Sequence, residues 1–334
     1  MKISTKMMMF MTLVISTIMV MSSENWMSMW MGLEINMMSF IPLMEKNKNY
    51  MSSESKMMYF LIQSLGSIMF IFTIIINPTI TISENLVKEI MINIIVMSMM
   101  MKMGMAPMHT WFINIMNKIS WNNCLILMTW QKLAPLYIMS CTVLSTKMIT
   151  LWSIMSAITG AIGGINQTSI KKIMAFSSVN HLGWMTMCMK YDSEMWIKYL
   201  MIYSTILIML TSWMSKTSTN YINQINMNMK TKMEKMMLIM MMMSLGGLPP
   251  FIGFMPKWLV IQSLINTKSL FTLMILMTTS MITLFYYMRM MTPMIMMSSS
   301  MNKWNIKSNN YKMNYTFMFI INMMLPMTMM INLL

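Results

Sequence analysis

Acidic side chains are scarce. The 334 residues include nine Asp and Glu against 24 Lys and Arg, and charged residues make up only 10% of the chain. A soluble globular protein usually carries about 25%, so most of this chain has no water-facing surface to offer. Arg289 is the only arginine. A net charge of +15 would suggest nucleic acid in a soluble protein, but that reading needs basic side chains gathered on one solvated face. Here they stand between apolar runs, and no nucleic-acid partner is expected. Cysteine is limited to Cys124, Cys141 and Cys188, far apart, with no CxxC pair and no Cys/His cluster. That argues against an Fe–S or zinc site. No G-x-G-x-x-G, P-loop or G-x-S-x-G occurs, so there is no evident means of holding a nucleotide or of covalent chemistry.

Apolar side chains dominate instead. They form 57% of the chain, with a mean hydropathy of +0.58, the composition of a polytopic membrane protein. Methionine alone accounts for 65 residues. Its flexible side chain fills irregular gaps, but packing does not call for so many. Together with abundant Ile, Asn and Lys, the bias fits an AT-rich genome whose code reads AUA as methionine, as animal mitochondria do. The N-terminus, MKISTKMMMF, runs directly into the first apolar span and shows no small-residue cleavage site after it. A retained helix is expected there.

A spanning helix needs about 20 mostly apolar residues. On that rule the sequence predicts an all-α membrane domain over 1–334 with about eleven spans: roughly 7–22, 26–44, 57–77, 88–117, 123–141, 148–167, 172–189, 195–215, 235–266, 269–291 and 314–333. The seventh is the weakest, because Asn180 and His181 sit inside it. The joins are short and polar, the longest being Lys216–Glu234 and Thr292–Lys312. Sixteen of the Lys and Arg fall at the N-terminus and in the joins after even-numbered spans, five fall at the opposite ends, and Lys102, Lys132 and Lys257 lie inside spans. The excess of positive charge predicts the N-terminus on the matrix or cytoplasmic side and the C-terminus opposite.

Two spans are interrupted. MSMMMKMGMAPMHTW (97–111) breaks at Gly104 and Pro107, and SLGGLPPFIGFMPKW (244–258) repeats the combination with its own glycines, prolines and lysine. A Gly/Pro break at membrane depth is tolerated only where protein or water satisfies the freed backbone groups. Paired broken segments are the best sequence pointer to a transporter's ion path. The predicted spacing makes the two run in opposite directions, as in inverted repeats of about five helices: a first repeat at roughly 1–141, a second at 148–291, and an extra helix at 314–333.

Charges inside spans are costly, about 2.5–3.5 kcal/mol for a lysine on insertion scales. Glu34 is the only acid near the middle of a span. It reads either as a neutral carboxyl bonded within the bundle or as a proton site controlled by a nearby lysine. Lys102 and Lys257 adjoin the breaks, where half-helix ends offer unpaired backbone groups and a partial charge. The alternative of snorkelling to the interface is weak for Lys102 and stronger for Lys257. Lys132 lies three residues before Pro135, with Gln131 beside it as polar support. His109 follows the first break and reads as a relay or as a lone hydrogen-bonded histidine. His181, among Ser177, Ser178 and Asn180, can hold a water chain. Four ionisable groups on four spans fit a lateral proton relay.

The stretches WMGLEINMMSFIPL (30–43), KMGMAPMHTWF (102–112), LMTWQKLAPL (127–136), GAIGGINQTSIKKIMAFSSVNHLGWM (160–185) and SLGGLPPFIGFMPKWLVIQ (244–262) together resemble the NADH dehydrogenase subunit 2 family, mitochondrially encoded core membrane subunits of respiratory complex I, in arthropod-like wording. Met105 and Met108 stand where Ala and Phe are commoner, and the Lys216–Glu234 join matches poorly. The resemblance implies an antiporter-like, proton-translocating module in the mitochondrial inner membrane, N-terminus to the matrix. Its characteristic Glu and Lys fall on Glu34, Lys102, Lys132 and Lys257. It implies no cofactor bound by this chain; NADH, FMN, Fe–S clusters and ubiquinone belong to the whole complex. The implied partners are neighbouring antiporter-like and small membrane subunits, accessory subunits, and lipids such as cardiolipin. It also implies that three N-terminal helices of bacterial relatives are missing, which agrees with eleven spans. Two other readings are kept: a stand-alone monovalent cation/proton antiporter of the same ancestry, and a structural spacer between pump modules.

Overall fold

The computed structural model of the protein describes residues 3–45, 50–76, 85–142, 148–191, 194–228, 232–296 and 315–324. The described residues form helices and no named strand. In chain order these are α1 (Ile3–Ser22), α2 (Trp26–Leu43), α3 (Tyr50–Ile76), α4 (Asn85–Met103), α5 (Thr110–Lys118), α6 (Trp121–Met128), α7 (Trp130–Thr142), α8 (Met148–Ile165), α9 (Ile170–Tyr191), α10 (Met195–Thr217), α11 (Ile222–Asn228), α12 (Lys232–Gly246), α13 (Phe254–Asn266), α14 (Leu270–Met296) and α15 (Tyr315–Asn322). Helix or paired half-helix stands at each place where the sequence predicts a span. For the last span, residues 325–334 lie outside the described residues.

Six helical stretches among the described residues are long and apolar enough to cross a membrane by themselves: Ser4–Ser22, Tyr50–Ile76, Trp121–Thr142, Met148–Ile165, Met195–Thr217 and Leu270–Met296. Serines and threonines inside them send their hydroxyls back to carbonyls three or four residues earlier. Ser16 bonds Leu13 O at 2.8 Å and Thr73 bonds Phe70 O at 2.6 Å. Such bonds let a polar residue ride in an apolar helix without a bare donor. The outward faces of α1, α3 and α14 are lined by exposed Met, Ile and Phe, as a lipid solvent permits.

The seventh predicted span, the least apolar by sequence, becomes the most enclosed helix. Every residue of α9 from Ile173 to Met189 is buried. Its polar side chains therefore face protein on all sides, which is why a hydropathy rule undervalues it. Glycines let α8 approach it backbone to backbone. A Cβ at Gly160 would stand 2.6 Å from Asn180 N, and one at Gly183 would stand 2.7 Å from Ser153 O. Small residues at such crossings are the usual device for close packing in membranes.

One end of this core is tied by polar bonds. Ile170 N donates to Asn220 O at 2.9 Å and Ile222 N to Thr168 O at 3.2 Å, so the short α11, inside the polar Lys216–Glu234 join, is pinned beside the α8–α9 turn. Arg289 of α14 donates to Ile165 O, and to Gln167 O at 2.7 Å. A cation there complements the negative C-terminal end of α8.

The fifth span, expected to run unbroken, is distorted at Thr129 between α6 and α7. Pro135 has no N–H to offer Gln131 O, and its ring crowds that carbonyl. Thr129 N still bonds Leu125 O at 3.0 Å, but Lys132 N reaches back only three residues, to Thr129 O at 3.3 Å.

Candidate functional site

Both broken spans end their first half in the same way. After α4, Gly104 takes φ +70°, its N–H bonds Met101 O at 3.3 Å, and Met105 N bonds Met100 O at 3.0 Å. After α12, Gly247 takes φ +76°, its N–H bonds Ser244 O at 3.0 Å, and Leu248 N bonds Met243 O at 3.3 Å. This is the Schellman ending, in which a left-handed residue, cheapest as glycine, turns the chain away. Each such end leaves carbonyls pointing past the helix and a partial negative charge of about half an electron.

A lysine sits at each of these ends, reached by opposite routes. Lys102 belongs to the last turn of α4 itself and is buried; its backbone carbonyl accepts Gln63 Nε2 from α3 at 2.9 Å. Its stem lies against Gly66, where a Cβ would come within 3.0 Å of Lys102 Cγ. Lys257 lies beyond the break, in the first turn of α13. It reaches back to give Nζ to Gly246 O, the end of α12, at 2.8 Å. It is 4% exposed, so the snorkelling reading does not hold for it. The ring of Trp184 lies 5.8 Å from its Nζ.

Lys132 is the most enclosed of the three lysines, at 1% exposure. The distorted start of α7 carries it inward, where Nζ donates to Ser178 O of α9 at 3.3 Å and lies 5.7 Å from the Phe112 ring and 5.5 Å from the Tyr203 ring. Carbonyl oxygen and aromatic faces both suit an ammonium group without an anionic partner.

A narrow cavity of about 20 Å³ joins the first two lysines. Lys102, Lys132, Gln63, Gln131, Asn36 and Tyr59 supply its polar lining. That is room for about one water molecule with several polar partners. Gln131 Nε2 donates to Asn36 Oδ1 at 2.9 Å, and Tyr59 OH to Gln131 Oε1 at 3.4 Å. Glu34, two residues before Asn36 on α2, is half-buried and within electrostatic reach of Lys102.

His181 stands between the second and third lysines. Its imidazole is buried within electrostatic reach of both Lys132 and Lys257. Nδ1 shares a 2.8 Å hydrogen bond with Tyr199 OH, and the ring lies 4.7 Å from that of Tyr203. His109 is placed differently. It precedes α5, half-buried, with Nδ1 at 3.2 Å from Pro107 O and its ring 6.3 Å from Phe176. Glu34 thus neighbours Lys102, Lys102 and Lys132 share a cavity, and His181 neighbours Lys132 and Lys257, whereas His109 touches none of these lysines.

Sequence reasoning missed Gln63, Tyr199 and Tyr203. Each is an ordinary polar or aromatic residue in its own helix, and only its partner across the bundle gives it meaning. Gln63 alone carried a faint signal, as an amide in the middle of an apolar span.

The family described as NADH:quinone oxidoreductase/Mrp antiporter, TM matches residues 23–283. Among curated proteins, the chain is 42% identical over 311 residues to NADH-ubiquinone oxidoreductase chain 2 of Anopheles gambiae, covering 90% of this chain and 89% of that one. It is 41% identical over 309 residues to the Locusta migratoria protein of the same name, covering 92% and 90%. Among solved structures, a chain of respiratory complex I from Thermus thermophilus shares the fold at a TM-score of 0.80 and 18% identity, over 86% of this chain and 70% of that one.

Proposed function

From the premise that this chain belongs to the family of NADH-ubiquinone oxidoreductase chain 2, within the NADH:quinone oxidoreductase/Mrp antiporter transmembrane proteins, we propose how its buried charges work. The chain is a multi-pass inner-membrane subunit of respiratory complex I, the proton-translocating NADH:ubiquinone reductase. Its part is to move protons through Glu34, Lys102, Lys132, His181 and Lys257 while electrons pass through other subunits. NADH, FMN, Fe–S clusters and ubiquinone are used there, and this chain binds none of them. The two broken spans belong to inverted repeats at roughly 1–141 and 148–291. The matching Schellman ends at Gly104 and Gly247 favour that reading.

The observation that carries the proposal is three buried lysines, each held on a carbonyl or at a half-helix end, with a cavity shared by Lys102 and Lys132 and an imidazole near Lys132 and Lys257. Half-helix C-termini are where transporters coordinate cations and protons. Like charges at successive sites repel, so loading one favours release at the next. Two unit charges about 10 Å apart at an effective dielectric of about 20 repel by roughly 1.7 kcal/mol, more than tenfold in occupancy. Glu34 biases Lys102 from one end of the string, and Lys257 closes the other. His109 is a peripheral contributor at most.

The lysine-rich joins face the matrix, and the N-terminus with them. Neighbouring antiporter-like and small membrane subunits, accessory subunits and anionic lipids such as cardiolipin cover the apolar flanks. The stand-alone antiporter reading is the lesser one, because relatives at more than 40% identity, matched over 89% and 90% of their length, carry the name NADH-ubiquinone oxidoreductase chain 2. In mild detergent the chain is expected to migrate in an assembly far heavier than its own 39.2 kDa. An antiporter would run alone or with copies of itself. The relay is tested by Lys132→Leu in the whole complex reconstituted into vesicles. The expected result is assembled enzyme with fewer protons moved per NADH oxidised. An unchanged ratio would remove Lys132 from the path and favour the spacer reading.

A further inference from the structure

We infer that a buried run of tyrosine hydroxyls on α10 and α14 carries protons between the lysine-rich face and the Lys132–His181 centre. The inference deepens the relay reading and rests on it. Tyr203, Tyr286 and Tyr287 are 2%, 0% and 1% exposed. None of their hydroxyls closes a well-aligned hydrogen bond to protein, although Ser178 stands beside that of Tyr203 and Ser177 beside that of Tyr287, and Asn180 Oδ1 is likewise left over. Buried polar atoms without partners are rare in folded proteins, and each calls for a cause. Phenylalanine would fill the same space without an orphaned donor, so three such tyrosines in one region point to a use for the oxygen.

Their positions form a line. Tyr203 is the inner end, with its ring 5.5 Å from Lys132 Nζ and 4.7 Å from the His181 ring. Its hydroxyl stands next to that of Ser178 and within electrostatic reach of Tyr287, whose own hydroxyl stands next to Ser177 and Tyr286. The rings of Tyr287 and Tyr286 meet edge to face at 4.8 Å. Tyr286 lies flat enough on α8 that a Cβ at Gly164 would stand 2.7 Å from its Cε1. One turn further along α14 comes Arg289, half-buried on the carbonyls of Ile165 and Gln167, with its Nε buried and unpaired. This is the end of the bundle that carries Lys171, Lys172 and Lys216. Tyr199, the other tyrosine beside His181, is engaged with Nδ1; the free hydroxyls all lie on the side of the lysine-rich face.

A neutral phenol can pass a proton without ionising overall. Its oxygen accepts a proton from one neighbour as it gives its own to the next, so one O–H bond forms while another breaks. Water between the hydroxyls completes the steps that side chains do not span. Phenylalanine keeps the ring packing and loses both halves of that exchange.

The test uses the intact complex in vesicles, carrying Tyr203→Phe, Tyr287→Phe, or Tyr286→Phe with Tyr287→Phe. Phe285→Leu, on the exposed face of α14, serves as the control. The Phe variants are expected to assemble in normal amount. Their pumping rate should fall about tenfold, short of the roughly 10²–10⁴-fold that a positioned proton-transfer group contributes, because water partly replaces a hydroxyl. The loss should steepen as pH rises on the lysine-rich side, where protons are taken up, and the control should not change. Parental rates and pH profile in the Phe variants, with Lys132→Leu still lowering the protons moved per NADH in the same preparation, would overturn the tyrosine path alone. Normal pumping in Lys132→Leu as well would overturn the relay beneath it. Loss of assembled complex in the Phe variants would also overturn the inference, since the hydroxyls would then be holding the packing.

Discussion

Gly247→Ala moves Lys257 without touching its charge. Gly247 has φ +76°, a conformation that costs an L-residue about 1–2 kcal/mol. The added Cβ would stand 2.8 Å from Lys257 Cδ, 2.9 Å from Nζ and 3.0 Å from Cε. The lysine must leave, and with it goes the 2.8 Å bond from Nζ to Gly246 O. A hydrogen bond to a charged group contributes about 1.5–3 kcal/mol. Together the clamped arrangement loses about 3 kcal/mol, roughly a hundredfold in its population. The assay is twofold: protons moved per NADH in vesicles, and thermal inactivation of the complex, each measured for Gly247→Ala, Lys257→Met and the pair. If the alanine acts through the lysine, the double variant should be little less stable than Lys257→Met, since contacting residues are not additive. Full pumping by Gly247→Ala, or stability losses that simply add, would refute the claim that the glycine exists to seat this lysine.

Two further outcomes follow from the packing. Gln63→Leu removes the donor to Lys102 O at nearly constant volume. Leaving a buried carbonyl unserved costs about 1–3 kcal/mol, and the complex should inactivate at lower temperature; an unchanged inactivation curve would show that the carbonyl finds another donor. Gly183→Val would press its Cβ against Ser153 O at 2.7 Å, which is backbone and cannot swing aside. Overpacking of about 1–3 kcal/mol or more should reduce assembled complex in detergent extracts, and a parental yield would mean that α8 and α9 separate freely.

Much of this molecule is local. Burial in lipid is set by composition, so the spans could be read from runs of Met, Ile and Leu. Helix ends are set by Gly and Pro, so the breaks at Gly104 and Gly247 could be read too. The cost of charge in oil singled out Glu34, Lys102, Lys132 and Lys257 before any partner was known. The bend at Thr129 is not legible from Pro135, because a proline fixes where a bond is lost and not how the preceding turn responds.

What the bundle alone decides is who meets whom. His181 sits in the least apolar span, and its sequence neighbours cannot say that Lys132 and Lys257 flank it; α9 becomes the enclosed axis only because α8, through Gly160 and Gly183, and α10 close around it. Nor does chain order reveal that Lys102 from before one break and Lys257 from after the other both settle at the carbonyl end of a half-helix. An apolar pattern specifies that a helix enters the membrane. Its partners are chosen by small residues, orphaned carbonyls and shape, and those terms take their values only when distant segments pack together.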